Sequence, residues 1–357
     1  MGYPERKELI QQVEAARHSR VICYVLSDRE TFPPGVPGFA TQMTHEPLLL
    51  VEDLLRRIEH TPHLDVFLMT RGGATESVWP LVTMLRSYAD RLSVLVPFRA
   101  HSAGTLLCLG ADEVVMSDIG ELSPIDPTTG NQFNPRDPGN PMNQFGISVE
   151  DVAAYFELAK DRAGIEGEAY RIEVFKQLTA NVHPLALGNV QRVHLMIRRL
   201  ATELLGLHLD RDGDRFERIV TGLTTMFYTH LHAISRREAQ SLLGDWIVSP
   251  SAGESAPLRQ LFEQYAADLK LRDRYNLPVE IGDEARMPLR IIGGVLESGE
   301  ASYVYTTDIQ VGQRPNLPPG VQVQVPPGQN LPLQPFVGRS YEWGIQRHGW
   351  EVNNNGE

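Results

Sequence analysis

The feature that most constrains the fold is the alternation of strand-like and helix-like segments between residues 20 and about 126. Buried-strand patterns, rich in Val, Ile and Leu, lie at 20–26, 64–70, 91–97 and 112–117. Segments with helical spacing lie at 5–17, 46–60, 76–90 and 102–111. Strands that alternate with helices form a mostly parallel sheet covered on both faces. The sequence therefore predicts an α/β fold.

The remainder of the chain has a different character. A loop rich in Asn, Pro and Gly spans 128–147, and a mostly helical region follows over 149–272, with Ser148 as a helix cap. Residues 314–336 are so rich in proline that an interior helix or central strand is excluded there. We predict a core at 1–147, a helical subdomain at 148–297 and an extended Pro-rich tail at 298–357. The tail is either a solvated linker or an arm whose aromatic residues contact a neighbouring subunit.

Charge and cysteine content exclude several classes of protein. Asp and Glu outnumber Lys and Arg by 45 to 33, which disfavours a general nucleic-acid or anionic-membrane binder. No apolar run reaches the length of a membrane span, and the charged N-terminus lacks a signal-peptide core. The two cysteines, Cys23 and Cys108, lie in apolar runs and do not indicate a disulfide framework. A cytoplasmic location is expected.

Neither a cofactor nor a metal is expected. No G-x-G-x-x-G follows any predicted strand, so a dinucleotide site is not supported. His230 and His232 would lie on different faces of a helix, and the other histidines lack the spacing of zinc ligands.

Two features lie at the ends of consecutive strands. The first is Thr-Arg-Gly-Gly at 70–73, and the second is Ser102, at the start of a helix. Open α/β sheets place their functional sites at the carboxyl ends of strands. If the N–H groups of Gly73 and Ala103 converge, they form the pair of donors that an acyl-transfer oxyanion requires. Ser102 could be only a helix cap, but a nucleophile here would also lie at a helix N-terminus, so the two interpretations are compatible.

The segments TRGG (70–73) and AHSAGTLLCLGADEVVMSDIGELSPIDP (100–127) resemble the serine dehydrogenase proteinase branch of the Clp/crotonase fold. That branch is related to ClpP, signal peptide peptidase A and the NfeD-type proteases. The resemblance covers roughly residues 20–250 and is strongest over 64–127. It implies a Clp/crotonase-like ββα superhelix core and a serine peptidase that acts through an acyl-enzyme.

The resemblance also implies roles for individual residues. Ser102 would be the nucleophile, with the N–H groups of Gly73 and Ala103 as oxyanion donors. Asp126 stands where Clp proteases have their histidine, but a carboxylate with an ordinary pKa near ~4 accepts a proton from serine poorly. Relatives that use a lysine instead point to Lys160 first and Lys176 second, since a desolvated neutral lysine can deprotonate serine.

His183 is a further alternative for the base, although it could simply fix the loop before Pro184. The resemblance implies a homo-oligomer that acts on a protein or peptide substrate, without nucleic acid or a membrane span, and leaves open whether a regulatory partner is needed. Two other functions remain. One is an inactive Clp-fold scaffold or binding protein, and the other is an α/β-hydrolase esterase, because Ala-His-Ser-Ala-Gly approximates the G-x-S-x-G motif.

Overall fold

The computed structural model describes residues 2–125, 128–210, 213–225, 229, 232–316 and 338–353. Asp126, His230 and most of the Pro-rich stretch (317–337) lie outside the described residues. The chain divides into two compact units. Unit 1 contains residues 1–70 and 251–357, and unit 2 contains residues 71–250. The chain therefore groups by contacts between its two ends, whereas the sequence predicted three consecutive parts.

Unit 1 combines helices and strands from both ends of the chain. Its N-terminal elements are α1 (Tyr3–Arg17), β1 (Arg20–Leu26), β2 (Thr31–Phe32), α2 (Leu48–Ile58) and β3 (Thr61–Met69). Its C-terminal elements are α10 (Ala252–Asp268), β14 (Tyr275–Asn276), α11 (Leu277–Ile281), β15 (Arg286–Ser298), β16 (Ser302–Asn316) and β17 (Gly338–Val352). The main strands follow the order β3-β1-β15-β16-β17, in which β1 and β3 are parallel and the later pairs are antiparallel.

The C-terminal strands are the largest difference from the sequence prediction. Residues 302–316 and 338–352 are paired strands, not a solvated tail, whereas 317–337 and 354–357 lie outside the described residues. Ile309 and Val311 of β16 are buried in an apolar cluster. The sequence did not predict this pairing, since a Pro-rich composition indicates extended chain without specifying a pairing partner.

Unit 2 contains a parallel sheet followed by helices. Its first part comprises a 3₁₀ turn (Thr75–Ser77), α3 (Val78–Ser87), β4 (Ala89–Val96), β5 (Arg99–Ala100), α4 (Ala103–Leu109), β6 (Glu113–Met116) and β7 (Glu121–Leu122). Next come β8 (Thr128–Thr129), β9 (Arg136–Asp137), β10 (Asn140–Gln144) and β11 (Ile147–Ser148). The helical part comprises α5 (Val149–Glu157), a π-helical turn (Leu158–Arg162), α6 (Glu168–Asn181), α7 (Pro184–Leu205), α8 (Gly213–Thr225), β12 (Ile234–Ser235), α9 (Arg236–Leu243) and β13 (Ile247–Val248).

The parallel strands of unit 2 confirm the predicted α/β pattern. They follow the order β13-β6-β4, and a second small sheet has the order β12-β7-β5. Every residue of α4 is buried, so this helix is enclosed by the unit and its N-terminus is fixed in position. The predicted caps are also present, since Ser148 and Ser235 each accept a hydrogen bond from the N–H three residues later.

The segment 149–181, here called the helical arm, is unusual in its exposure. Its α5, π turn and α6 contain no buried residue. Four large apolar side chains of the arm are at least half exposed: Leu158, Tyr170, Ile172 and Phe175. Helices in water normally gain most of their stability from a packed apolar face, so this face lacks a partner within the described part of the chain.

Within the described residues, no helix is long and apolar enough to cross a membrane. The same residues contain no group of three or more His, Cys, Asp or Glu side chains arranged to hold a metal ion. Both cysteines are buried and free, as their apolar sequence context predicts.

Candidate active site

Ser102 occupies a turn between β5 and α4 in a backbone conformation that serine rarely adopts. Its φ is 50° and its ψ is −108°. Non-glycine residues avoid positive φ because the Cβ atom crowds the backbone, and such strain is frequent at functional sites. Ser102 is half-buried, and among the described residues its Oγ has no hydrogen-bond partner. The turn therefore presents a hydroxyl that makes no hydrogen bond to the part of the chain that the structure describes.

Gly72 packs directly against this turn. Its φ is +98°, and a Cβ atom added there would lie 2.7 Å from the Ser102 Cβ and 2.8 Å from the His101 carbonyl oxygen. Such distances are well below van der Waals contact, and the conformation itself favours glycine. The Gly-Gly turn and the serine turn, which are about 30 residues apart in sequence, are thus in contact.

The amide of Ser102 is held by a residue that sequence analysis did not identify. The Ser102 N–H donates to the Oγ of Ser123 at 2.8 Å, and the Ser123 Oγ–H donates to the carbonyl oxygen of Pro124 at 3.0 Å. Ser123 is only 1% exposed. Because the Ser102 N–H is occupied, it is not available to an oxyanion.

Thr105, on the first turn of α4, extends this hydrogen-bonded group. Its Oγ1 accepts the Ser123 N–H at 3.0 Å and lies 2.7 Å from the Ala100 carbonyl oxygen and 3.0 Å from that of Ser123. Thr105 is fully buried. The backbone N–H of Ser102 and the side chains of Thr105 and Ser123 are therefore tied together at the ends of β5 and β7. We call Thr105 and Ser123 the hydroxyl clamp.

The next amide in the turn is that of Ala103. It is the first N–H of α4 and so has no acceptor within the helix, and it lies 3.1 Å from the position of an added Gly72 Cβ. Gly73 follows at φ +147°, a conformation that favours glycine. The Ala103 N–H therefore faces the Gly72-Gly73 turn.

His101 precedes the serine, but its side chain belongs to another cluster. Its Nε2 lies 3.2 Å from Oε1 of Glu121, and the same carboxylate oxygen accepts from Nε of Arg99 at 2.7 Å. The ring is thus engaged by a carboxylate on β7. Among the described contacts, no hydrogen bond joins it to the hydroxyl of Ser102.

The two lysines predicted as bases lie on the helical arm. The Lys160 ammonium is 3.8 Å from Oδ1 of Asp161, and its side chain is 71% exposed. Lys176 pairs with Glu173 at 3.3 Å and is 65% exposed. No hydrogen bond links either ammonium to Ser102 in the described part of the chain. Lys160 also lines a cavity of about 560 Å³ formed within the arm, together with Phe156 and other arm residues.

His183 caps helix α7. Its Nδ1 accepts the N–H of Leu185 at 3.2 Å, and its ring stacks on Phe133 with centroids 4.7 Å apart. This geometry matches the structural role of fixing the loop before Pro184. No contact joins His183 to the serine turn within the described residues.

The sequence signal for the hydroxyl clamp was weak. Ser123 lies in Leu-Ser-Pro-Ile at the end of a strand, where a small polar residue usually indicates a turn. Thr105 lies in an otherwise apolar helix, and a buried threonine there requires a partner for its hydroxyl. The sequence therefore shows Thr105 as a polar residue inside an apolar run, but it does not show that Ser123 is its hydrogen-bond partner.

Comparison with known proteins shows a similarity over the first part of the chain. Residues 3–136 match the model of ClpP-like, SDH-type serine proteinases. Two similar proteins of Methanocaldococcus jannaschii are uncharacterized. MJ1495 is 24% identical over 231 residues, which are 57% of this chain and 76% of the relative. MJ0137 is 27% identical over 128 residues, which are 35% of this chain and 43% of the relative.

Among solved structures, a point mutant of the 1510-N membrane-bound stomatin-specific protease is 15% identical. The alignment covers 56% of this chain and 72% of that protein, with a TM-score of 0.33. The family match contains the Gly-Gly turn, Ser102 and the hydroxyl clamp, and it ends before the helical arm. Residues 3–136 of this chain are thus similar to the ClpP-like, SDH-type serine proteinases.

Proposed function

We propose that this protein is a serine peptidase that hydrolyses peptide bonds through an acyl-enzyme on Ser102. In this mechanism the Ser102 hydroxyl attacks the scissile carbonyl carbon while a base takes its proton. The N–H groups of Ala103 and Gly73 stabilise the oxyanion. The leaving amine then departs with a proton from the same group, and water hydrolyses the ester.

One observation carries this proposal: the Ser102 hydroxyl is held in a strained turn against Gly72 without a partner among the described residues. A serine that served only as a helix cap would use its oxygen to accept a helix N–H, and Ser102 makes no such side-chain bond. The serine-proteinase family match over the same residues supports the same chemistry.

We further propose Lys160 as the base, with Lys176, His183 and Asp126 as alternatives. Only four lysines occur in the chain, and Lys160 and Lys176 are the two that unit 2 contains. A lysine base must be desolvated to be neutral, whereas the Lys160 side chain is 71% exposed. We therefore propose that a homo-oligomer covers the apolar face of the helical arm and with it the lysine.

A fluorophosphonate probe tests the nucleophile. We expect stoichiometric labelling of the full chain, loss of labelling in Ser102→Ala, and retention of labelling in Ser117→Ala, a part-buried serine of the same unit. Hydrolysis of fluorogenic peptides should be lost in the same variant. A folded wild type that neither labels nor cleaves peptides would contradict the proposed activity.

Substitution of the lysines tests the base. We expect Lys160→Ala to reduce the labelling rate by about 100-fold or more, while Lys176→Ala, on the same arm, leaves it within about twofold. Full activity of Lys160→Ala would transfer the role to one of the alternatives.

A second candidate function is an inactive scaffold, and the exposure of both arm lysines favours it. A folded chain that assembles through the arm but never labels would support that function. An esterase of the α/β-hydrolase class is disfavoured because the family that matches residues 3–136 is ClpP-like.

A further inference from the structure

We infer that Ser123 is a positioning residue for Ser102, and that Thr105 fixes Ser123 in turn. This inference rests on the proposed function, since it concerns how the nucleophile is held. Ser123 does not touch the substrate in this proposal. It acts through the backbone amide of Ser102, which donates to its Oγ at 2.8 Å.

The partners of the hydroxyl clamp determine which of its groups donate and which accept each hydrogen bond. A carbonyl oxygen only accepts hydrogen bonds, so the Ser123 Oγ–H must point to the carbonyl of Pro124. This leaves a lone pair of the Ser123 oxygen for the Ser102 N–H. By the same argument the Thr105 hydroxyl must donate to the carbonyl of Ala100 or of Ser123, and its lone pair accepts the Ser123 N–H. The Ser123 hydroxyl therefore donates and accepts in one fixed direction, and the Thr105 oxygen always accepts the Ser123 N–H.

Two consequences concern the proposed chemistry. First, the clamp opposes relaxation of Ser102 from φ 50° toward an unstrained conformation, because a rearrangement of the turn would move the part-buried Ser102 N–H away from its acceptor. Second, it removes the Ser102 N–H from the set of oxyanion donors and leaves the next amide, that of Ala103, free of an acceptor within the helix. Ser123 thus fixes both the direction of the nucleophile and the choice of donor.

The serine at position 117 provides a matched control. Its Oγ also donates to a carbonyl oxygen, that of Pro97, at 2.7 Å, and also accepts an N–H, that of Ile119, at 3.2 Å. It makes no hydrogen bond to the Ser102 turn. Ser117→Ala therefore removes the same pair of bonds from a neighbouring turn and leaves the nucleophile untouched.

The test measures phosphonylation of the full chain by a fluorophosphonate, with the maximal rate constant kinact separated from the affinity constant KI. We expect Ser123→Ala to lower kinact by about tenfold to 100-fold with KI unchanged, because small displacements of a reacting group lower the rate without affecting binding. Ser123→Thr, which keeps the hydroxyl, should recover most of kinact. Thr105→Val should lower kinact, and Thr105→Ser should not. Single-residue hydrogen exchange should show the Ser102 amide protected in the wild type and faster in Ser123→Ala.

Each outcome is decisive. The role of Ser123 is overturned if Ser123→Ala labels at the wild-type rate, or if Ser117→Ala or Ser123→Thr loses as much as Ser123→Ala. Should Ser123→Ala fail to fold, the pair Thr105→Val and Thr105→Ser decides by the same criterion. A wild type that does not label at all instead overturns the proposed function, and the positioning role with it.

Discussion

At the scale of single residues, the site depends on close packing between two turns. Position 72 requires a glycine for two reasons: its φ is positive, and the Ser102 Cβ lies where a side chain would begin. The atoms that an added Cβ would meet include the backbone oxygen of His101, which cannot rotate away as a flexible side chain could. The substitution of Gly72 should therefore act on the position of the serine as well as on stability.

Replacing Gly72 with alanine should lower the free energy of unfolding by about 2–5 kcal/mol, from the left-handed conformation together with overpacking. Gly35→Ala is the matched control, because Gly35 has φ +82° but open space where its Cβ would be. We expect that control to lose only about 1–2 kcal/mol. Urea unfolding measures both, and equal losses in the two variants would show that the contact with the serine turn is not tight.

At the scale of secondary-structure elements, α4 is fixed at its C-terminus by a histidine that follows α7. The Nε2 of His208 lies 3.0 Å from the carbonyl oxygen of Leu109, and the ring packs edge-on against Trp246. Burial lowers the pKa of His208, and the nearby Arg86 and Arg215 lower it further, partly opposed by the hydrogen bond to Leu109 and by Asp112. The folded protein therefore disfavours the charged form of the ring.

The lowered pKa of His208 predicts acid sensitivity. Below about pH 6.5, the ordinary pKa of histidine, the unfolded chain binds a proton that the folded chain resists, so stability falls as the pH decreases. His208→Gln keeps a side-chain donor for Leu109 but does not titrate. We expect urea unfolding between pH 7.5 and 5 to show a shallower decline for this variant than for the wild type. Identical declines would exclude His208 as a source of the acid sensitivity.

The helical arm combines large apolar side chains with high solvent exposure. Several of its large apolar side chains are exposed rather than packed, and Phe175 is 52% exposed. If a second copy covers these side chains, a charge placed there must be desolvated on assembly, at a cost of several kcal/mol.

We therefore expect Phe175→Glu to dissociate the oligomer while changing the stability of the separated chain by no more than about 0.5 kcal/mol. Leu49→Glu is the control, since Leu49 is 78% exposed but lies on α2, outside the arm. Sedimentation velocity distinguishes the two. Assembly of Phe175→Glu like that of the wild type would place the interface elsewhere.

At the scale of the whole molecule, unit 1 is held together by buried ion pairs between the two ends of the chain. Arg6 on α1 contacts Glu297 on β15 at 2.7 Å and Asp268 on α10 at 2.7 Å. Arg17 on α1 contacts Asp65 on β3 at 2.6 Å and Glu254 on α10 at 2.7 Å. The N-terminal helix is thereby joined to β3, 48 residues away, and to α10 and β15, more than 200 residues away.

Loss of one partner from such a pair leaves a buried charge. Tyr265 and Ser302 also donate to Glu297, which is fully buried. We expect Glu297→Gln to lower the free energy of unfolding by about 3–5 kcal/mol because the buried Arg6 loses one of its two carboxylate partners. Glu300→Gln, which removes the exposed partner of Arg20, should change it by less than about 1 kcal/mol. A urea titration that gave similar values for both variants would contradict this account of unit 1.

The sequence by itself determined the local elements and the chemistry-bearing turns. Periodicity located β1, α3 and α4 to within a few residues, and Gly-Gly and Ser-Ala-Gly at strand ends indicated the serine site. These features depend on neighbours in the chain, so local patterns reveal them. The helix caps at Ser148 and Ser235 were predictable for the same reason.

Only the tertiary structure decided the contacts between distant residues. Ser123 accepts the amide of Ser102 from 21 residues away, and the partners of Arg6 lie 262 and 291 residues along the chain. The pairing of β15, β16 and β17 likewise depends on which strand lies beside which. Such choices are set by the packing of the whole chain, because a buried polar group is stabilised by whichever partner the fold brings to it, and the sequence around that group does not name this partner.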